Sequence, residues 1–294
     1  MLGIHSIYKL PQGSKQTVQN YNRLYAFEFV CLVLSSAYWR KYNGEIKLVC
    51  NDAVYRWVEA HKLHWIWDYI DTDTLKKLPQ DIDYSVFWTF PKMFIHFNQK
   101  EKFTSIDADL FFKGNITQYP EDIIYAHEEV DTLGTTYPFF HLYPEYENVL
   151  QSSLPYNAIN TSLITFNRLD LLSQLEDITY QFIRNTNLSQ VDSPYTYTIF
   201  CEQKVLGNLI HQHNYTYRSL MEKYWDCNDL DQTENNSNFL LPEVGIHHIW
   251  GNKRRLYENP TQRKFYTDYF LNFIYTDFPE LEEKVLKLLP EFPL

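Results

Sequence analysis

Phe103-Thr-Ser-Ile-Asp-Ala-Asp-Leu-Phe-Phe112 decides how this chain is read, because two carboxylates one residue apart interrupt a run that otherwise has the composition of a buried strand. In an extended chain residues i and i+2 lie on one face, so Asp107 and Asp109 are expected to point the same way at a strand end. Two like charges that close repel unless a cation lies between them. A hard divalent ion suits the pair, since Mg²⁺ or Mn²⁺ takes one or two carboxylates and fills its remaining positions with water and phosphate oxygens. An Asp-x-Asp can also be turn or capping chemistry. Here Leu110-Phe111-Phe112 keep the chain apolar beyond the acids rather than leading it into solvent. The expectation is metal-assisted chemistry on a phosphorylated substrate.

On the N-terminal side, Ile4 to Leu10 reads as a short strand, Val18 to Tyr42 as a helix stopped at Asn43-Gly44, and Glu45 to Cys50 as a buried strand ended by Asn51-Asp52. This is a βαβ opening. Val54 to Lys62 reads as a helix, Trp65 to Ile70 as a strand, and Val86 to Gln99 as a helix containing Pro91. Beyond the acidic pair, Asp122 to Ala126 and Thr161 to Phe166 are strand candidates, and Leu169 to Arg184 and Tyr195 to His211 are helical by period. Strands alternating with helices of this length predict an α/β fold with a mostly parallel central sheet flanked by helices, and ligands collect at the carboxyl ends of such strands. Residues 1–255 are expected to form one Rossmann-like domain, with a helical extension over 256–294 packed on it.

A chain of 294 residues, 45% hydrophobic, can bury a large core. Its formal charge of −11 argues against a nucleic-acid or anionic-membrane partner, both of which need a basic surface. Cys31, Cys50, Cys201 and Cys227 lack the CxxC spacing of a zinc site or a disulfide framework, which fits a reducing compartment. The N-terminus lacks the pattern of a signal peptide, and the apolar run Phe29 to Leu34 is shorter than the roughly 20 residues needed to cross a bilayer. A cytoplasmic protein without a transmembrane segment is expected.

Far downstream, His248-Ile-Trp-Gly-Asn-Lys-Arg254 gathers an imidazole, a glycine and cationic side chains. Each has a use beside a metal-bound diphosphate. His248 can ligate the ion, Gly251 lets the backbone approach phosphate, and Lys253 or Arg254 neutralises its oxygens.

In this order the motifs resemble the GT-A class of nucleotide-sugar-dependent glycosyltransferases, in particular the glycogenin-like group and its lipopolysaccharide sugar-transferase relatives. Pro91-Lys92-Met-Phe before Ser105-Ile-Asp-Ala-Asp109 resembles that group's Lys-bearing helix and Asp-x-Asp strand. Asn160-Thr-Ser162 resembles its Asn-Ala-Gly strand entry, Glu202-Gln203 its Asp-Gln pair, and His248-x-x-Gly251-x-x-Arg254 its His-x-x-Gly-x-x-Lys loop. Ser162 thus stands where the group has Gly, Glu202 where it has Asp, and Arg254 where it has Lys, with Lys253 one place away.

The resemblance implies a GT-A fold and Mn²⁺ or Mg²⁺ held by Asp107, Asp109 and His248 against the diphosphate of a donor, a UDP-sugar. It implies Lys92, Gly251, Lys253 and Arg254 on the phosphates, and Tyr8 and Asp52, at the ends of the first two strands, on base and ribose. Asn160, Glu202 and Gln203 would position the donor sugar and the hydroxyl of a glycan or glycolipid acceptor. Retention of anomeric configuration also follows from the resemblance; an inverting enzyme would need a carboxylate base, for which Glu202 is a candidate. Aspartate-nucleophile phosphatases share a strand followed by Asp-x-Asp, but place it near the N-terminus with Thr or Val two residues after the second Asp, where this chain has Phe111. A non-catalytic nucleotide-sugar or glycan-binding protein of the same fold is the alternative.

Overall fold

The computed structural model describes residues 1–9, 24–130, 140, 142, 154–191, 193–221, 225–226, 240–241, 245–249 and 253–294, the side chains of 225–226, 240–241 and 253–255 excepted. Strand β1 (Leu2–Ile7), helix α1 (Ala26–Tyr42), β2 (Ile46–Cys50), helix α2 (Asp52–Ala60) and β3 (Tyr69–Asp71) form the βαβ opening. Helix α3 (Phe90–Phe97) then leads into β4 (Phe103–Ile106) and β5 (Leu110–Phe112). The remaining strands are β6 (Ile123–Val130), β7 (Ala158–Phe166), β8 (Tyr217–Ser219), β9 (Trp225–Asp226), β10 (Leu240–Leu241) and β11 (Ile246–His248).

The central sheet runs in the order β3-β2-β1-β4-β7-β6-β8, with β9 also pairing with β6. Its pairings are parallel except at β7, which lies antiparallel to both β4 and β6. The expected mostly parallel α/β sheet is therefore present. A second, antiparallel sheet joins β10, β11 and β5.

Period-two alternation sorts the strands' side chains between two cores. Leu48, Cys50, Ile124 and Ala126 face the α1 side, while Val49, Ile123 and Tyr125 face α3 and the helix Asp170–Asn185. Helix α1 is buried almost continuously from Ala26 to Trp39, as a helix apolar on every side must be. The sheet covers one of its faces and the C-terminal helix Pro260–Asp277 another. Near the chain end, Phe292 stacks on Phe29 at 4.2 Å and the Pro293 carbonyl accepts from the Ala26 amide at 2.9 Å. The helix Lys253–Glu258 runs across residue 255 without a break, and Leu256 and Tyr266 share the core of α1.

Gly3 in β1 permits a close approach to helix α1. A Cβ there would lie 2.4 Å from Nε1 of the buried Trp39 indole.

The reading of Trp65 to Ile70 as one strand is corrected: a 3₁₀ turn occupies His64–Ile66 and only Tyr69–Asp71 is strand. Side-chain bonds override the alternation, since Trp67 donates Nε1–H to His5 Nδ1 at 3.0 Å and Asp68 accepts the Ile46 amide at 2.8 Å. The helix expected from Val86 begins at Phe90, with Pro91 in its first turn, where a missing amide proton costs nothing. The first part of the helix expected over Val18 to Tyr42 lies partly outside the described residues. Among the described residues, no helix is long and apolar enough to cross a membrane.

Candidate active site

Strand β4 is buried throughout and ends one residue before the first acid. The Asp107 amide still donates to the Ser162 carbonyl of β7 at 2.7 Å, but Leu110 N then bonds back to the Asp107 carbonyl at 3.2 Å. The acidic pair therefore occupies a turn between two sheets, and the expectation that both acids sit in strand geometry is corrected. The chain turns because β5 leaves the central sheet to pair with β11.

That pairing sets Leu110 opposite His248, and the Ile249 amide donates to the Asp109 carbonyl at 2.8 Å. Gly245, at φ +71, carries the chain into β11 and accepts the Lys113 amide at 2.7 Å through its carbonyl. The left-handed conformation there is one that glycine adopts without strain. Backbone register thus brings His248 Nε2 to 3.8 Å from Asp109 Oδ1, both side chains largely buried.

Lys92 organises the other side of the turn. Its Nζ lies 2.7 Å from Asp107 Oδ1, 2.9 Å from Glu202 Oε1 and 2.9 Å from the Thr161 carbonyl. Burial opposes a charge on Lys92, but Asp107 and Glu202 outweigh it and hold the ammonium above its ordinary range. Asp107 is pushed above the usual carboxylate range by desolvation, with Asp109 and Glu202 adding to the push and Lys92 opposing it.

Glu202 reaches the cluster from a π turn, Phe200–Val205, that separates the helices Pro194–Ile199 and Leu206–Gln212. Its Oε1 also accepts from Thr161 Oγ1 at 2.6 Å. Helix α3, which supplies Lys92, is fixed to the helix Pro194–Ile199, which runs into this π turn, by Thr89, whose amide donates to Thr198 Oγ1 at 2.9 Å and whose hydroxyl donates to the Thr198 carbonyl at 2.7 Å.

Asn160 links this strand to β6. Its Nδ2 donates to Glu129 Oε1 at 2.7 Å, and its Oδ1 accepts the Ser162 amide at 3.0 Å. Glu129 lies diagonal to Asn160 across the ladder, beyond a bulge between Tyr125 and His127 that re-aims the end of β6. Burial raises the Glu129 carboxyl to about 7; the bond from Asn160 pulls it down and the charge of Glu202 pushes it up. His127, on the same strand, is lowered to about 3, chiefly by burial.

The structure therefore brings together Lys92, Asp107, Asp109, Asn160, Glu202 and His248. Gln203 sits half-buried in the π turn beside Glu202. Tyr8 packs at 5.9 Å on Tyr84, and Asp52 is exposed in the first turn of α2. The strand-end contact near Asp52 is made by Asn51, whose Nδ2 donates to the Lys9 carbonyl at 2.8 Å. Gly251 lies outside the described residues. Lys253 and Arg254 open the helix Lys253–Glu258, and their side chains lie outside the description. Glu129 and Thr161 were not among the expected site residues. The one signal for Glu129 was a pair of acids closing the apolar run from Ile123.

Asp109 and His248 are an oxygen and a nitrogen donor suited to Mn²⁺ or Mg²⁺. Among the described residues no three His, Cys, Asp or Glu side chains stand together as a metal-holding group, and Asp107 Oδ1 lies 2.7 Å from Lys92 Nζ. Asp107 nonetheless feels the charge of Asp109, a repulsion that a cation would relieve.

No family model and no curated protein matches the sequence. Among solved structures, the chain is similar to mouse xyloside xylosyltransferase 1, at 12% identity over 85% of this chain and 97% of that one, with a TM-score of 0.40. It is similar to the galactosyltransferase LgtC, solved with donor and acceptor sugar analogs, at 10% identity over 86% of this chain and 88% of that one, with a TM-score of 0.40. It is similar also to the glycosyltransferase GlyE of Streptococcus pneumoniae TIGR4, at 11% identity over 92% of this chain but only 60% of GlyE, with a TM-score of 0.40. Superpositions at that level leave the functional reading to the residues of the site itself.

Proposed function

We propose that this chain is a metal-dependent glycosyltransferase that moves a sugar from a nucleotide-diphosphate donor, a UDP-sugar, to a hydroxyl group of a glycan or glycolipid. The observation that carries this reading is the convergence of Asp109 and His248, with His248 Nε2 at 3.8 Å from Asp109 Oδ1, at the carboxyl end of a central parallel strand. Asp109 and His248 would hold Mn²⁺ or Mg²⁺, with Asp107 adding negative charge beside them. A bound ion would supply Lewis-acid stabilisation of the charge that builds on the leaving diphosphate.

Lys92 keeps its charge in a buried setting and holds the Asp107 side of the turn. Gly251, Lys253 and Arg254 would carry further phosphate contacts, and Tyr8 and Asp52 the nucleoside. Asn160 and Gln203 would orient the donor sugar. Glu202 is 5% exposed and tied to both Lys92 and Thr161, so it is poorly offered as a base to an acceptor hydroxyl. That favours retention over inversion. A cytoplasmic setting is kept in this reading; among the described residues Cys31, Cys50 and Cys201 are free, buried thiols.

One observation favours a second reading, a binding protein of the same fold without turnover: the ammonium of Lys92 already neutralises Asp107, a predicted metal ligand. Titration of UDP-sugars with and without Mn²⁺, followed by an assay for donor hydrolysis, separates the two. Metal-dependent binding with hydrolysis supports the transferase. Binding with neither hydrolysis nor transfer supports the binding protein, and no metal-dependent binding defeats both.

A further inference from the structure

We propose that Ser162 is a positioning residue that holds the His248 ring in its Nδ1-protonated tautomer, so that the Nε2 lone pair faces the Asp109 side, where a divalent cation would bind. The proposal rests on reading Asp109 and His248 as ligands, but the tautomer of the neutral ring follows from hydrogen-bond direction alone.

The starting point is the Ser162 amide, which can only donate. It lies 3.0 Å from the side-chain oxygen of Asn160, and this fixes which end of that amide faces Ser162. The other end, Nδ2, then donates to Glu129 Oε1 at 2.7 Å, which a carboxylate accepts. The Ser162 hydroxyl has one proton, and its shortest contact, 2.5 Å, is also to Asn160 Oδ1. A carbonyl oxygen cannot donate, so the hydroxyl proton is committed there. Among the described residues the other hydrogen-bond contact of Ser162 Oγ is His248 Nδ1, at 3.4 Å. An oxygen with no proton left to give can only accept, so Nδ1 is the donor.

A neutral imidazole has a single N–H. With that proton on Nδ1, the lone pair belongs to Nε2, the nitrogen 3.8 Å from Asp109 Oδ1. Asn160, Ser162 and His248 are 3%, 3% and 7% exposed, so bulk water does not compete for these bonds. The hydroxyl comes from Ser162, where the resembling family has a glycine and no side chain to do this. An outer partner of this kind fixes the tautomer of a ligating histidine and raises its basicity.

The test is two-bond ¹H–¹⁵N correlation spectroscopy on metal-free protein labelled at histidine nitrogen, at about pH 8 where an unperturbed imidazole is neutral. The His248 signals are assigned from their loss in His248→Asn. The expected result is an Nδ1–H, Nε2-bare ring in the wild type. Ser162→Ala is expected to shift it toward a mixture with the Nε2–H form, and to weaken Mn²⁺ binding by about 10–100-fold in calorimetric titration. Ser162→Thr keeps the hydroxyl and should restore the wild-type tautomer. Glu129→Gln keeps the acceptor for Asn160 and should leave the tautomer unchanged. An Nε2–H ring in the wild type overturns the proposal without need of any variant, as does a folded Ser162→Ala protein with an unaltered tautomer. If the tautomer is as stated and no nucleotide sugar is turned over, the transferase reading fails while the role of Ser162 stands.

Discussion

Lys92 and Glu202 form a buried ion pair, Nζ to Oε1 2.9 Å, that bridges α3 and the π turn Phe200–Val205. The same ammonium holds Asp107, so one positive charge answers two carboxylates.

Lys92→Met is therefore expected to destabilise the fold by about 3–5 kcal/mol, the usual penalty for leaving a buried charge uncompensated. Urea unfolding measures it. Adding Glu202→Leu should recover part of the loss, because removing both partners spares the orphaned carboxylate. A loss below about 1 kcal/mol in the single variant would mean the acids find other counter-charges.

Asp109→Asn removes the carboxylate charge nearest His248 and leaves its shape. Mn²⁺-dependent UDP-sugar binding should disappear in calorimetric titration, with the melting temperature in metal-free buffer unchanged. Turnover that survives this substitution would contradict the assigned site.

The Glu129 carboxyl is raised from 4.5 to about 7, first of all by burial. The native state therefore binds more protons than the unfolded chain between those values. Its contribution to stability is fully present below about pH 4.5 and is lost as pH rises through about 7. At about 1.4 kcal/mol per unit, the swing is at most about 3.5 kcal/mol. Glu129→Gln should flatten the profile and be the more stable protein at pH 8, as compared by urea unfolding at pH 5 and pH 8. Equal pH slopes for the two proteins would refute the raised carboxyl.

Part of this candidate site is legible in the sequence. The strand ending in Asp107-Ala-Asp109 stood out because charge is rare inside so apolar a run, and His248 because it heads a loop of phosphate-suited residues. The partners were not legible. Glu129 follows a histidine and another glutamate, which end the apolar pattern at Ala126, while the ladder with β7 extends the strand to Val130. Thr161 enters through a bond to Glu202 whose geometry depends on a π turn that no periodicity announces. The turn at Asp107–Asp109 was missed because local alternation carries no information about a change of sheet.

Gly3→Ala should cost about 1–3 kcal/mol, the range for forcing extra volume into a packed core. The new methyl would lie 2.4 Å from the indole of Trp39, which is 1% exposed and has little room to move. Thermal unfolding followed by tryptophan fluorescence reports it, and an unchanged midpoint would show that the indole can give way.

The six residues Phe200–Val205 wind more loosely than the helices on either side, and that slack sets the direction in which the Glu202 carboxylate points. A helix advances about 100° per residue at 3.6 residues per turn. Deleting a single residue from this stretch, even one that touches nothing in the cluster, would tighten the winding and rotate Glu202 relative to Lys92 and Thr161. The Lys92–Glu202–Thr161 cluster is therefore expected to be more vulnerable to a one-codon deletion here than to most side-chain replacements at the same positions.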